Sequence, residues 1–150
     1  MKTATNSKIA KAIKLKNHPV AVFRTNEKPV NAIQFKEGKW GCAVSLLNTA
    51  AKGKTAVFDE QSTTCGGGKV GLGFGCYDEE FIVQFLSTGV PGVKEGEFYK
   101  KSPQYARDFV DSLPNISTEQ YLVFKPLSEI TDQETPEVVV FMAMADQLSA

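Results

Sequence analysis

The stretch WGCAVSLLNTAAKGKTAVF, residues 40–58, decides the fold class, because it holds a helix and a strand back to back. Ala43, Leu46, Leu47 and Ala50 recur at spacings of three and four, the period that lines one face of an α-helix. Gly53 stands where such a helix stops, since a residue without Cβ enters the left-handed conformation at little cost. Thr55-Ala56-Val57-Phe58 follows as a short β-branched and aromatic run, which reads as a strand.

The same alternation continues on both sides. Upstream, residues 7–16 read as a helix capped by Ser7 or Asn6, with Ile9 and Ile13 one turn apart on its apolar face. After the turn at Asn17-His18-Pro19, Val20-Ala21-Val22-Phe23 reads as a buried strand, and residues 30–35 as a second extended segment. Downstream, Asp78-Glu79-Glu80 opens a helix that turns Phe81, Ile82, Phe85 and Leu86 inward and ends near Gly89. Residues 89–97 read as a loop. Ser102-Pro103 is a cap with proline at the first helical position, and Tyr105, Ala106, Phe109, Val110 and Leu113 form a stripe that Pro114 closes. Residues 121–124 and 138–142 read as two more buried strands, from their unbroken apolar runs. Ala145-Asp146-Gln147-Leu148 looks like the start of another helix. The expectation is an α/β or α+β protein: a single mixed sheet of about five strands packed with about four helices.

Composition bounds the rest. A chain of 150 residues, 42% hydrophobic, is long enough for one ordinary core, so a single domain over 1–150 is expected. Lys+Arg and Asp+Glu both number 17, and this balance argues against a surface built to neutralise nucleic-acid phosphates. The opening MKTATNSKIAKAIKLK is interrupted by lysine too often for a secretion signal or a membrane span. Three cysteines are too few, and of the wrong parity, for a disulfide framework. A cytoplasmic protein with reduced or ligand-bound thiols is expected. A terminal apolar strand at a sheet edge would be covered by a second copy, making a homodimer.

The cysteines are spaced C-x22-C-x10-C, unlike the compact patterns of zinc fingers or ferredoxins. Their context says more. Cys42 falls in the first turn of a helix, where the helix dipole favours the thiolate that ligates metal or attacks carbon. Cys65 directly precedes three glycines, a backbone that leaves sulfur accessible and lets a cluster or ligand approach closely. Packing of Cys42 beside Leu46 is the plainer alternative for that residue, and Cys76 reads as core. Gly66, Gly67, Gly68, Gly71, Gly73 and Gly75 make up half of the 12 glycines. They fit neither a P-loop, because Lys69 is followed by Val70, nor a dinucleotide fingerprint. A cradle for an anionic small molecule on Gly66, Gly67, Gly68 and Gly71, with Lys69 as its charge, stays open beside a turn that merely lets segments pack. His18, the single histidine, reads as a turn residue, and Asp59 and Glu60 as a solvated turn.

Read together, KWGCAVSLLNTAAKGKTAVFDE, CGGGKVGLGFG, QFLSTG, FKPLSE and DQLSA resemble domain of unknown function family 169, a group of uncharacterised archaeal and bacterial proteins. The resemblance runs from Pro19 to the last residue. Its most specific parts are Gly41-Cys42 and the pattern from Cys65 to Gly75; Cys76 departs from it. It implies a continuation past Ala150 into a second half with a further glycine-cysteine element, so that this chain corresponds to the N-terminal portion. The family name carries no activity. The functional expectation is a thiolate site in which Cys42 and Cys65 bind zinc or an iron–sulfur cluster, completed by Cys76, by the second half or by another subunit. An anion-binding module and a thiol-dependent redox enzyme are the alternatives.

Overall fold

The computed structural model describes residues 7–36, 38–39, 41–62, 65–75, 78–114 and 119–149. The fold is mixed α/β. In chain order its elements are α1 (Lys8–Ala12), β1 (Val20–Thr25), α2 (Ala43–Ala51), β2 (Ala56–Phe58), α3 (Gly66–Gly71), α4 (Glu79–Leu86), β3 (Gly89–Val90), β4 (Lys94–Glu95), α5 (Pro103–Asp111), β5 (Tyr121–Pro126), β6 (Val138–Val140) and α6 (Ala145–Leu148). Two compact units emerge, Met1–Lys69 with Thr118–Ala150, and Val70–Ser117.

The first unit is built on a sheet of order β2-β5-β1-β6, in which every strand pairs antiparallel. Val57, Val123 and Phe23 lie in register across three strands and form a buried row, flanked by Ala32, Tyr121 and Ile130. Helix α2 packs against β1, β2 and β5 and buries Leu46, Ala50 and Ala51. With cover of this kind, the unbroken run Leu122-Val123-Phe124 is buried throughout, as its composition predicts. Gly53, at φ +90°, ends α2 in the left-handed conformation, and its N–H donates to Ala50 O at 2.9 Å.

Three expectations for this unit need correction. Residues 30–35 do not form a strand: Asn31 turns the chain at φ 61°, Val30 is 88% exposed, and only Ile33 reaches β2, through one parallel bridge. That bridge is the sole parallel pairing among the described residues, and the main sheet has four antiparallel strands. Residues 138–142 are not buried on both faces. Strand β6 covers only 138–140, sits at the sheet edge, and leaves Val138 56% exposed. Helix α1 is shorter than expected and buries Ala10 while Ile9 faces outward, although Ser7 caps it, its Oγ accepting from Ala10 N at 3.3 Å.

An ion pair secures the segment after β5. Glu134 accepts from Lys125 Nζ at 2.8 Å and from the Thr131 amide and hydroxyl at 2.8 and 3.0 Å. Burial works against its charge, but these donors outweigh it and hold the carboxyl below the usual carboxylate range. A depressed carboxyl adds stability above its unfolded pKa, and loses it as pH falls through the folded value. Glu134→Gln should therefore lower stability by about 1 kcal/mol at neutral pH, the size of a partly screened charged hydrogen bond. Urea denaturation should show the gap closing below the usual carboxylate pKa.

In the second unit α4 and α5 pack together, burying Val83 and Ala106, and Arg107 pairs with Glu79 and Glu80. The helix that Asp78-Glu79-Glu80 is expected to open is α4, and Asp78 caps it, with Oδ1 accepting from Phe81 N at 3.1 Å. Phe81 does not turn inward: it is 53% exposed, stacks with Phe85 and carries Lys94 over its ring. The expected loop contains the small hairpin β3–β4. Residues 97–100 return to the end of α4, where Glu97 N donates to Phe85 O at 2.8 Å, Phe98 N to Ser87 O at 3.0 Å and Lys100 N to Leu86 O at 2.8 Å. These bonds fill carbonyls that a helix end leaves without partners.

Candidate functional site

Cys42 is the N-cap of α2, one position earlier than the sequence suggests. Its carbonyl accepts from Ser45 N at 2.8 Å, while its side chain makes no capping bond. Gly41 before it is required by space: a Cβ there would overlap the ring of Phe35. The Gly-Cys pair thus lets an aromatic ring lie against the backbone at the helix entrance. Cys42 is half-buried, unlike Leu46 one turn later, so it is not a sealed core thiol.

Cys65 stands immediately before α3. The glycine run is therefore helical at its start and not the open loop expected from composition. Lys69 N donates to Cys65 O at 2.9 Å and Gly68 N to Cys65 Sγ at 3.4 Å, so the thiol performs the bond of a capping side chain. Sulfur is a weak acceptor, and here it takes an amide N–H at the start of the helix. Gly66 and Gly67 occupy the first turn of α3, whose amides have no acceptor within the helix. A Cβ at Gly66, Gly67 or Gly71 would meet nothing within 4 Å, whereas at Gly68 it would stand 3.3 Å from Cys65 Sγ. Among the described residues, close packing thus does not account for glycine at 66, 67 and 71.

The turn leading to Cys65 is organised by Asp59. Its Oδ1 accepts from Ser62 N at 2.7 Å and Gln61 N at 3.1 Å, and its other oxygen from the Gln34 amide. Asp59 is a turn residue by geometry as well as by sequence. His18 donates its backbone N–H to Ala51 O at 2.9 Å, and its ring lies against Gly53, tying the turn before β1 to the end of α2.

Cys65, Gly66, Gly67, Gly68 and Lys69 come together in one helical turn, and Cys42 stands at the start of a different helix of the same unit. Cys76 lies outside the described residues. Among the described residues no group of three or more His, Cys, Asp or Glu is placed to hold a metal ion. No described helix is long and apolar enough to cross a membrane. The capping role of Cys65 was missed by sequence reading, because six glycine-rich residues carry no helical signal.

A family model, DUF169, described as uncharacterised ArCR, matches residues 8–150. No curated protein and no solved structure matches the chain.

Proposed function

The chain belongs to the DUF169 family, whose description assigns no reaction, and from that premise we propose that Cys42 and Cys65 are thiolate ligands of a metal ion or an iron–sulfur cluster. The observation that carries this reading is the Gly68 N–H directed at Cys65 Sγ. Amide donors to sulfur are what stabilise and tune metal-bound thiolates. The half-buried state of both cysteines favours the same role, and the bare glycines beside Cys65 leave room for a cluster. Among the described residues no third His, Cys, Asp or Glu joins them, so this reading needs further donors.

The test is elemental analysis with a visible spectrum of untagged protein purified without oxygen. Iron with sulfide and a broad visible band, or stoichiometric zinc, is expected in wild type. Each of Cys42→Ser and Cys65→Ser should lose more than half of it while keeping the far-ultraviolet circular dichroism of wild type. Metal-free wild-type protein that stays folded sinks the reading.

A second reading rests on the open space at Gly66, Gly67 and Gly71. It makes this surface a cradle for an anionic small molecule, with Lys69 supplying charge. Thermal stabilisation of metal-free protein by phosphate or nucleotides, lost in Lys69→Ala, favours it.

A further inference from the structure

The two outer strands of the sheet are β2 and β6, and their outer edges differ. That of β2 is closed, because Val57 N donates to Ile33 O at 2.8 Å and Ile33 N to Thr55 O at 2.9 Å. On the outer side of β6 no strand lies among the described residues.

The register tells which backbone groups face that open side. Leu127 N donates to Pro19 O at 2.8 Å, and hydrogen-bonded and non-hydrogen-bonded pairs alternate along an antiparallel ladder. Pro19, Ala21 and Phe23 therefore direct their backbone groups to β5, and Val20 and Val22 direct theirs to β6. Val140 and Val138, the partners of Val20 and Val22, point back at β1. Val139, and Phe141 after the strand, point away from it. At the other end of this edge Glu137 takes the Arg24 amide at 3.0 Å and pairs with the Arg24 guanidinium, so its charge is neutralised. Residues 138–144 read VVVFMAM, without the lysine or proline that usually blunts an edge.

We infer that β6 pairs antiparallel with β6 of a second copy of this chain, about a two-fold axis beside Val140, joining the two sheets into one. That axis sets Val139 opposite the partner's Phe141. Both face outward, so they exchange N–H···O bonds, and the symmetry repeats the exchange. Val138 falls opposite the partner's Met142, covering an exposed apolar side chain, and Glu137 falls opposite the partner's Ala143, so no like charges meet. The edge is thus complementary to itself in hydrogen bonding, in apolarity and in charge, which selects a second copy over an unrelated peptide.

The experiment is sedimentation velocity on full-length wild type and on Val139→Pro. Because the Val139 N–H faces outward, proline there removes a bond between copies and none to β1. Wild type should sediment as a dimer and Val139→Pro at half that mass with the wild-type circular dichroism. Wild type that is monomeric up to about 1 mM, the weak end of ordinary affinities, overturns the inference. Should Val139→Pro fail to fold, Val140→Cys decides. The axis makes Val140 a non-hydrogen-bonded pair with itself, about 4.5 Å between Cα atoms, within disulfide reach. Mild oxidation should give a reducible covalent dimer well above the wild-type background with Val140→Cys and not with Val138→Cys. No enrichment at Val140→Cys overturns the register.

Discussion

Leu46→Ala should destabilise the protein by about 2–5 kcal/mol, the range for truncating a leucine whose surroundings relax only in part. Leu46 is buried on the face of α2 that packs against the sheet, one turn after Cys42. Its loss removes apolar contact and leaves a cavity under the helix that carries the candidate thiol. Set against a typical total of about 5–15 kcal/mol, this is a large fraction. Urea denaturation should show a lower midpoint with an unchanged slope. Val44→Ala on the same helix is the control: Val44 is 64% exposed, and its change should stay within about 0.5 kcal/mol. Equal effects at the two positions would mean that α2 is not seated as described.

Gly89→Ala is the second large effect, in the hairpin unit. Gly89 adopts φ +70°, and a Cβ there would run into Lys94 O and the Gly96 amide, both backbone atoms that no rotamer change can move. The left-handed conformation costs about 1–2 kcal/mol for an L-residue, and forced overpacking about 1–3 kcal/mol more. A loss of about 2–5 kcal/mol is expected. Gly92 lies across the hairpin turn at φ +74° with nothing within 4 Å of a Cβ, so Gly92→Ala isolates the conformational part and should cost about 1–2 kcal/mol. Thermal melts of the two variants should separate accordingly; similar losses would place no close approach at Gly89.

The parts of the fold legible in the sequence are those where local chemistry and burial agree. The α2–Gly53–β2 stretch, the acidic opening of α4 and Pro103 at the start of α5 each combine a periodic apolar face with residues that suit a boundary. The misreadings fall where an apolar run has two uses. Val138-Val139-Val140 has the composition of a central strand, but its burial depends on a neighbour that composition does not specify. Phe81 is apolar and helical, yet it supports Lys94 at the surface, and Val83 takes the buried place. At the candidate site the Gly-Cys pair at 41–42 marked the helix entrance, although the reason for the glycine, the Phe35 ring, is a contact made in space. Glycine is intrinsically a poor helix former, so the run from Gly66 reads as a loop. What the sequence does not carry is the Cys65 cap that ties the start of that run into a turn.

The placement of β1 at the middle of the sheet sets the order in which the protein can assemble. This strand is made well before both its neighbours, β5 and β6; Arg24 and Glu137, which meet beside it, are 113 positions apart. Closing so long a loop carries an entropy cost before any ladder bond rewards it, so contacts of this span form late and slowly. Val70–Ser117 is continuous in sequence, and its α4–α5 packing and hairpin need only local closure. The inserted unit can therefore be native while β1 still waits for β5 and β6. Until β5 and β6 emerge, the nascent chain carries an unpaired Val-Ala-Val-Phe segment, and this is the stretch a chaperone has most reason to hold.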